Sequence, residues 1–294
     1  MKIPSQGEAG VPGVIGVKVI TAVDHTSPSA ANDFYCGAKQ LVPILAFCLF
    51  GWGAGAQSVE DSSDAAIRGR QLAQKILGQI PSQNSTVAGH LNIRSDNGTR
   101  TSLPIACAVI ASPTHWESIY EANWTNRTEM VWIQHGASAA NLYYRQTNQT
   151  VVSPDELAMK EDPTREQAPL LSAPDITTPF AGSDFCLADL GLEFFQWPEQ
   201  KVLKQEIHRS RGCTVLESTN PHPTTDGYAR VDSWIDTETL GIVEAYAYDE
   251  AGRRLKDFYP KDFKKVDGQW QVQTLVMENL QTGSRSRMEF DLKK

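Results

Sequence analysis

From residue 86 to residue 292 the sequence keeps returning to one pattern. Six to nine residues rich in β-branched and aromatic side chains alternate apolar with polar and then meet a turn signal. Alternation puts successive side chains on opposite faces, so each such segment reads as a half-buried strand. The segments are 86–94, 103–111, 116–124, 129–135 and 141–146, then 201–208, 212–217, 228–235, 241–248, 253–258, 270–278 and 286–292. Asp96-Asn97-Gly98, Asp249-Glu250-Ala251-Gly252, Asp267-Gly268 and Gln281-Thr282-Gly283 supply hairpin turns, because Asn and Gly accept positive φ at little cost. In the last segment Met288, Phe290 and Leu292 share one face and Glu289 and Asp291 the other, the mark of a sheet with one wet side. A meander of this many antiparallel strands curls, since a wide flat sheet leaves an apolar face in water.

Two segments break the alternation. Residues 62–80 place Ala73, Ile76, Leu77 and Ile80 on one helical face before Pro81, and 183–197 open with Ser-Asp and carry Phe185, Leu187, Leu190, Phe194 and Phe195 before Pro198. The first reads as an amphipathic helix and the second as a short helix or helical turn; two such pieces cannot form a bundle, so their apolar stripes must rest on the sheet. The fold class expected is therefore mainly β (α+β): a curled antiparallel sheet forming a half-open β-barrel covered by short helices. Between the two groups of strands, 153–179 is acidic and punctuated by Pro154, Pro163, Pro169, Pro174 and Pro179, and reads as a long loop.

Residues 39–56, KQLVPILAFCLFGWGAGA, have the basic residue, short apolar run and small-residue end of a signal peptide cleaved after Ala56. The run is too short for a permanent transmembrane anchor. Leu45-Ala46-Phe47-Cys48 has the outline of a lipidation box, with bulky Phe47 where a small residue is expected. Residues 1–38 are Gly/Pro/Ser-rich and read either as a start assigned too early or as a long leader. The mature chain, 57–294, is then a single domain. Removal of Cys36 and Cys48 leaves Cys107, Cys186 and Cys213, an odd number that cannot form a closed disulfide framework. They read as small buried hydrophobes, with a Cys186–Cys213 bridge as the alternative. A formal charge of -8 sets the chain against nucleic acid and anionic membrane surfaces as main partners.

Sites of chemistry do not assemble from the sequence. It contains no Gly-x-Ser-x-Gly elbow, His-Glu-x-x-His, Gly-rich phosphate loop or paired CxxC. His90, His115, His135, His208 and His222 fall on separate strands and loops, and His115 with Glu117 or Glu121 is the one close acid and imidazole grouping. The expectation is a non-enzymatic protein without cofactor or metal.

The C-terminal half also carries a resemblance. Gly182-Ser183-Asp184-Phe185 with Asp189-Leu190, then RVDSWID at 230–236, then Glu244-Ala245-Tyr246, Tyr248-Asp249, Gly252, Leu255-Lys256, Phe263-Lys264, Val266-Asp267-Gly268, Met277-Glu278-Asn279, Thr282-Gly283 and Glu289-Phe290 follow one another in order. In that order and spacing they resemble the outer-membrane lipoprotein-sorting proteins of the LolA-like fold, across most of 182–294. The resemblance implies a periplasmic carrier or chaperone that shields acyl chains of lipoproteins or lipids under a helical lid, with a possible envelope protein as partner. It implies an apolar cavity lined by Phe185, Leu190, Phe194 and Phe195 on the lid and by Trp132, Leu142, Trp234 and Tyr246 on facing strands. The same residues also suit a filled core. The alternative function is an envelope sensor or interaction module that uses this fold to regulate signalling.

Overall fold

The structure, a computed structural model, describes residues 59–113, 115–136, 140–149, 165–225, 227–266 and 268–293. The expected leader at 1–38, the signal segment at 39–56 with its lipidation-box outline, Cys36, Cys48 and the start of the proline-punctuated loop at 153–164 lie outside the described residues. So does Asp267.

Among the described residues, twelve strands form one antiparallel sheet. In chain order they are β1 Ser85–Arg94, β2 Arg100–Ala111, β3 His115–Asn123, β4 Arg127–Gly136, β5 Leu142–Gln149, β6 Glu199–His208, β7 Arg211–Thr219, β8 Arg230–Asp236, β9 Ile242–Tyr248, β10 Arg254–Val266, β11 Gln269–Asn279 and β12 Arg285–Phe290. The spatial order is β5-β4-β3-β2-β1-β12-β11-β10-β9-β8-β7-β6. Two meanders are thus joined where β1 pairs with β12, in register from Gly89↔Phe290 to Arg94↔Arg285. The sheet does not close: β5 and β6 are its free edges, which matches the curled, half-open barrel expected.

Every strand read from alternation is present. The ends move by a few residues, and β10 runs to Val266 instead of stopping near 258, because register shifts between Pro260 and Phe263 break its alternation. Gly89 shows how closely the two meanders meet. A Cβ there would lie 2.2 Å from the Glu289 carbonyl oxygen, so the joining strand has no room for a side chain at that point.

The N-terminal helix α1 spans Val59–Leu77. The expected second short helix or helical turn is the latter, a single turn α2 Leu187–Leu190 followed by a 3₁₀ turn at Glu193–Gln196. Leu192 between them is left-handed at φ 50. Gly191 abuts Tyr143, whose hydroxyl would lie 2.1 Å from an added Cβ. The chain there follows the sheet surface, and burial on all sides overrides the helical spacing of its apolar residues.

Two apolar cores fill the sheet's inner face. The first gathers Leu91, Ile105, Tyr120, Val131, Ile133, Phe180, Phe185, Leu187 and Met288, and the second Ala73, Ile76, Phe194, Phe195, Leu216, Val231 and Ile235. Phe258 packs against both. Cys107, Cys186 and Cys213 are free and buried, so the Cys186–Cys213 bridge is not formed.

Helix α1 rests on the edge strand β6 through small residues. Ala65 and Ala73 are buried, and at Gly69 a Cβ would stand 2.5 Å from the Gln200 carbonyl and the Lys201 nitrogen. In an unobstructed helix Gly→Ala gains about 1 kcal/mol. Here Gly69→Ala should instead lose roughly 1–3 kcal/mol through overpacking. Denaturant unfolding checks this, and a midpoint equal to or above that of the parent would contradict the close helix–strand contact.

Candidate functional site

The segment joining the two free edges, from Arg165 to Trp197, is the element that shapes the inner face. It begins on the outer face, where the Arg165 guanidinium donates to Glu117 and to Gln134 at 3.3 Å and lies 5.7 Å from the Tyr144 ring centre. It then rounds β5: Leu170 bridges Tyr144, and the Leu171 N–H donates to the Tyr143 carbonyl at 2.8 Å. From there it runs as a strap along the inner face, with Phe180, Phe185 and Leu187 in the first core and Phe194 and Phe195 in the second.

Polar pins hold the strap to the second meander. The Asp184 carboxylate accepts from Ser284 at 2.5 Å and Ser286 at 2.7 Å, while its own N–H donates to Ser286 at 2.8 Å. Lys256 donates to the Asp184 carbonyl at 2.7 Å and stands 3.7 Å from the Asp189 carboxylate. Asp189 also accepts from the Cys186 N–H at 2.8 Å and the Tyr228 hydroxyl at 3.1 Å. Burial opposes the charge on Lys256, yet the surrounding Asp189, Cys186 and Asp184 raise its pKa overall, so the ammonium stays charged. Burial with Asp189 beside it pushes the Cys186 thiol up to about 12, which leaves it an inert thiol. The Gly-Ser-Asp-Phe motif is therefore an anchor: Gly182 takes φ 70, Ser183 donates to the Phe180 carbonyl at 2.7 Å, Asp184 binds the two serines, and Phe185 is core.

A second clasp ties the strap to β5. Tyr143 donates to Glu193 at 2.7 Å, and the Asn141 amide donates to the Gly191 carbonyl at 3.0 Å and to Glu193 at 3.2 Å. Burial raises the Glu193 pKa against those two hydrogen bonds. Nearby, His135 stacks on Trp116 with ring centres 3.7 Å apart and meets the Ser118 hydroxyl at 2.8 Å. Burial drives its pKa down to about 3. Among the described residues, no group of three or more His, Cys, Asp or Glu side chains is placed to hold a metal.

A cavity of about 210 Å³ borders the strap between Ile176, Cys186, Trp197, His222, Thr224 and Tyr228, while the gaps deeper between the covers and the sheet are small. A gap of about 20 Å³ lies between Asp189, Phe194, Val231, Phe258 and Met277, and another of about 20 Å³ between Ile76, Trp116, His135, Leu190 and Phe195. Each holds roughly one water, not an acyl chain. Phe185, Leu190, Phe194 and Phe195 do come together on the inner face, as packed side chains. Trp132, Leu142, Trp234 and Tyr246 lie on the other face. Trp132 pairs with outward Tyr144, and Leu142 is 40% exposed. Trp234 donates to Glu206 at 2.7 Å and meets the rings of His208 and Tyr246. The eight residues therefore do not converge on one cavity. What sequence reading missed is the polar set, Lys256, Asp189, Tyr228, Asn141 and Glu193, whose members lie up to about a hundred residues apart and meet only in the fold.

Comparison with known proteins places the fold. A family profile described as uncharacterized protein-like matches residues 163–293. No curated protein matches the sequence at a significant level. Among solved structures, a DUF1329 family protein from Desulfovibrio piger is similar at 17% identity and TM-score 0.58, over 77% of this chain and 91% of that one. A protein domain from Vibrio parahaemolyticus described as outer membrane lipoprotein-sorting is similar at 16% identity and TM-score 0.59, over 77% and 92%. A LolA superfamily protein from Nitrosomonas europaea is matched at 17% identity and TM-score 0.49, over 78% and 92%. At these identities the likeness is one of fold, and it is the fold that the sequence resemblance implied. Among the described residues no helix is long and apolar enough to cross a membrane.

His135 gives the site a pH signature. An imidazole with an ordinary pKa near 6.5 in the unfolded chain and about 3 in the folded one binds its proton more readily when unfolded, so stability falls as pH drops below about 6.5. Between pH 7 and pH 5 the loss should be about 2 kcal/mol. In His135→Phe that part of the slope should vanish whatever the variant's absolute stability. Equal slopes in parent and variant, measured by urea unfolding, would contradict a buried neutral His135.

Proposed function

We propose that the chain is a non-enzymatic carrier of the cell envelope, exported to the periplasm, that binds acyl chains of lipid-modified proteins or lipids. The observation that carries this reading is the construction of the inner face. A half-open sheet of the fold seen in a lipoprotein-sorting domain has its apolar interior covered by elements that share few ladder hydrogen bonds with it.

The two covers are unequal. The strap buries three large side chains almost completely, Phe180, Phe185 and Leu187, and is pinned through Asp184, Asp189 and Lys256. Breaking one partner of such a buried pair costs about 3–5 kcal/mol, so the strap is the fixed part. Helix α1 buries mainly Ala65, Ala73 and Ile76, against about 0.8 kcal/mol per methylene for an incoming chain. The mechanism is that α1 swings off β6 and β7, uncovering Phe194, Phe195, Leu216 and Val231, and the acyl chain takes the place of Ile76 and Ala73.

The second reading, an envelope sensor or interaction module, is favoured by the outer face of β6–β10. There Arg230 lies over Tyr248, Arg254 over Tyr246 and Arg209 over Tyr259, at 3.2–4.4 Å, beside Trp234. Trp, Tyr and Arg are the residues that protein interfaces concentrate.

Native mass spectrometry of the protein purified from a bacterial envelope, with lipid extraction, separates the two. The carrier reading expects one copurifying acyl-chain ligand, or one-to-one uptake of a tripalmitoylated lipopeptide, reduced in Ile76→Asp. A ligand-free mass with no uptake of the lipopeptide would overturn it in favour of the interaction module.

A further inference from the structure

A cavity of about 430 Å³ lies away from both covers, lined by Arg209, Arg211, Val243, Pro260, Lys261, Phe263 and Trp270. No described residue of α1 or of the strap borders it. Its origin is a split in the sheet. β10 pairs with β9 from Arg254↔Tyr248 as far as Phe258↔Ala245 and no further. Pro260 follows, without an N–H to extend the ladder, and shifts between Pro260 and Phe263 leave the second half of β10 following β11 alone. On the other side, the β8–β9 register shift between Trp234 and Ile235 leaves Val243 without a partner in that ladder. The strands splay, and the gap between them opens at the end of the sheet that carries the β6–β7 and β10–β11 turns.

The walls of this gap are chemically divided. Val243, Pro260, Phe263 and Trp270 make an apolar interior, and among the described residues every charged side chain on the lining is a cation. Arg209 donates to Glu244 at 2.7 Å, and Arg211 donates to Asp236 at 2.5 Å and stands 3.4 Å from Glu238. Glu244 and Asp236 are themselves buried and do not border the cavity, so they orient the guanidiniums from behind. An arginine has five N–H donors in a planar fork, and these ion pairs use one or two of them. Lys261 is half exposed, 3.8 Å from Asp262. The volume falls within the range of small-molecule sites, and the pattern of dry walls under a cationic rim is that of a pocket for a chain with an anionic head.

We infer that the β9–β10 split binds an alkyl chain ending in a phosphate or carboxylate, with the chain between Val243, Pro260, Phe263 and Trp270 and the head on Arg209, Arg211 and Lys261. This rests on the carrier reading for the acyl nature of the ligand, and it adds at the split a site for a free anionic amphiphile, apart from the face beneath α1. Docking the head at the rim leaves a bulkier group attached to it in solvent.

The test is calorimetric titration of the full chain, below micelle-forming concentrations, with dodecyl phosphate, dodecanoate, decyl phosphate, dodecyl maltoside and inorganic phosphate. Dodecyl phosphate and dodecanoate should bind one-to-one, decyl phosphate roughly tenfold more weakly for two fewer methylenes, and dodecyl maltoside and inorganic phosphate more weakly still. Lys261→Glu, at an exposed position, should weaken dodecyl phosphate several-fold without changing dodecyl maltoside. A 12-bromododecanoate chain should quench a fluorescence component that is missing in Trp270→Phe. If dodecyl phosphate binding survives Lys261→Glu and the bromine quench survives Trp270→Phe, while Ile76→Asp abolishes binding, the chain lies under α1: the split is not the site and the carrier reading stands. If none of the amphiphiles binds, both fall.

Discussion

The pairing of β1 with β12 decides what the rest of the molecule must do. Each meander alone is a sheet with an apolar face and two edges; joined through six registered pairs, they become one twelve-stranded surface whose inner face is too wide to be left in water. Gly89 allows the join, because any side chain there would collide with the β12 backbone. Once the sheet is a single curled surface with β5 and β6 free, the connection between those two strands has only one useful course. It must cross the opening and bring its own apolar side chains to the inner face.

That constraint explains why the strap carries so much of the core and why its polar residues matter more for position than for chemistry. Asp184, Asp189, Lys256 and Tyr228 form a network in which each buried polar group finds a partner, so the strap has one seat on the sheet. Glu193, Tyr143 and Asn141 repeat the arrangement at the other edge. Among the described residues, helix α1 shows no buried ion pair to the sheet of the kind that Lys256 and Asp189 make. It touches β6 through alanines and a glycine, and it is the cover that can leave without orphaning a buried charge. The same difference in pinning runs through the sheet itself: where Pro260 interrupts the β9–β10 ladder, nothing replaces the lost pairs, and a recess with a cationic rim results.

Much of this fold was legible in the sequence because period-two alternation is a local property. All twelve strands and α1 announce themselves by spacing, and the order of motifs from Gly182 to Phe290 pointed to the lipoprotein-sorting fold. The site was harder. Trp132 sits between Val131 and Ile133, so both faces of β4 look apolar, and only the pairing of Trp116 with His135 fixes which side is in. Trp234 and Tyr246 are aromatic for reasons of ring and cation stacking on the outer face, which hydropathy cannot distinguish from core. The 183–197 segment has helical spacing but follows a curved sheet, and Leu192 turns left-handed to do so. The cavity at β9–β10 depends on a strand split, and a proline within an alternating run is its one visible sign.

In the proposed mechanism a fixed strap and a releasable α1 cover the same apolar face. Native-state hydrogen exchange by mass spectrometry measures this directly. The α1 amides should exchange through a local opening well below the global unfolding free energy, while amides of the strap between 180 and 190 exchange with those of β1, β2 and β12. One global exchange event for α1, strap and sheet amides, or a strap that opens before α1, would rule out a releasable α1 over a fixed strap.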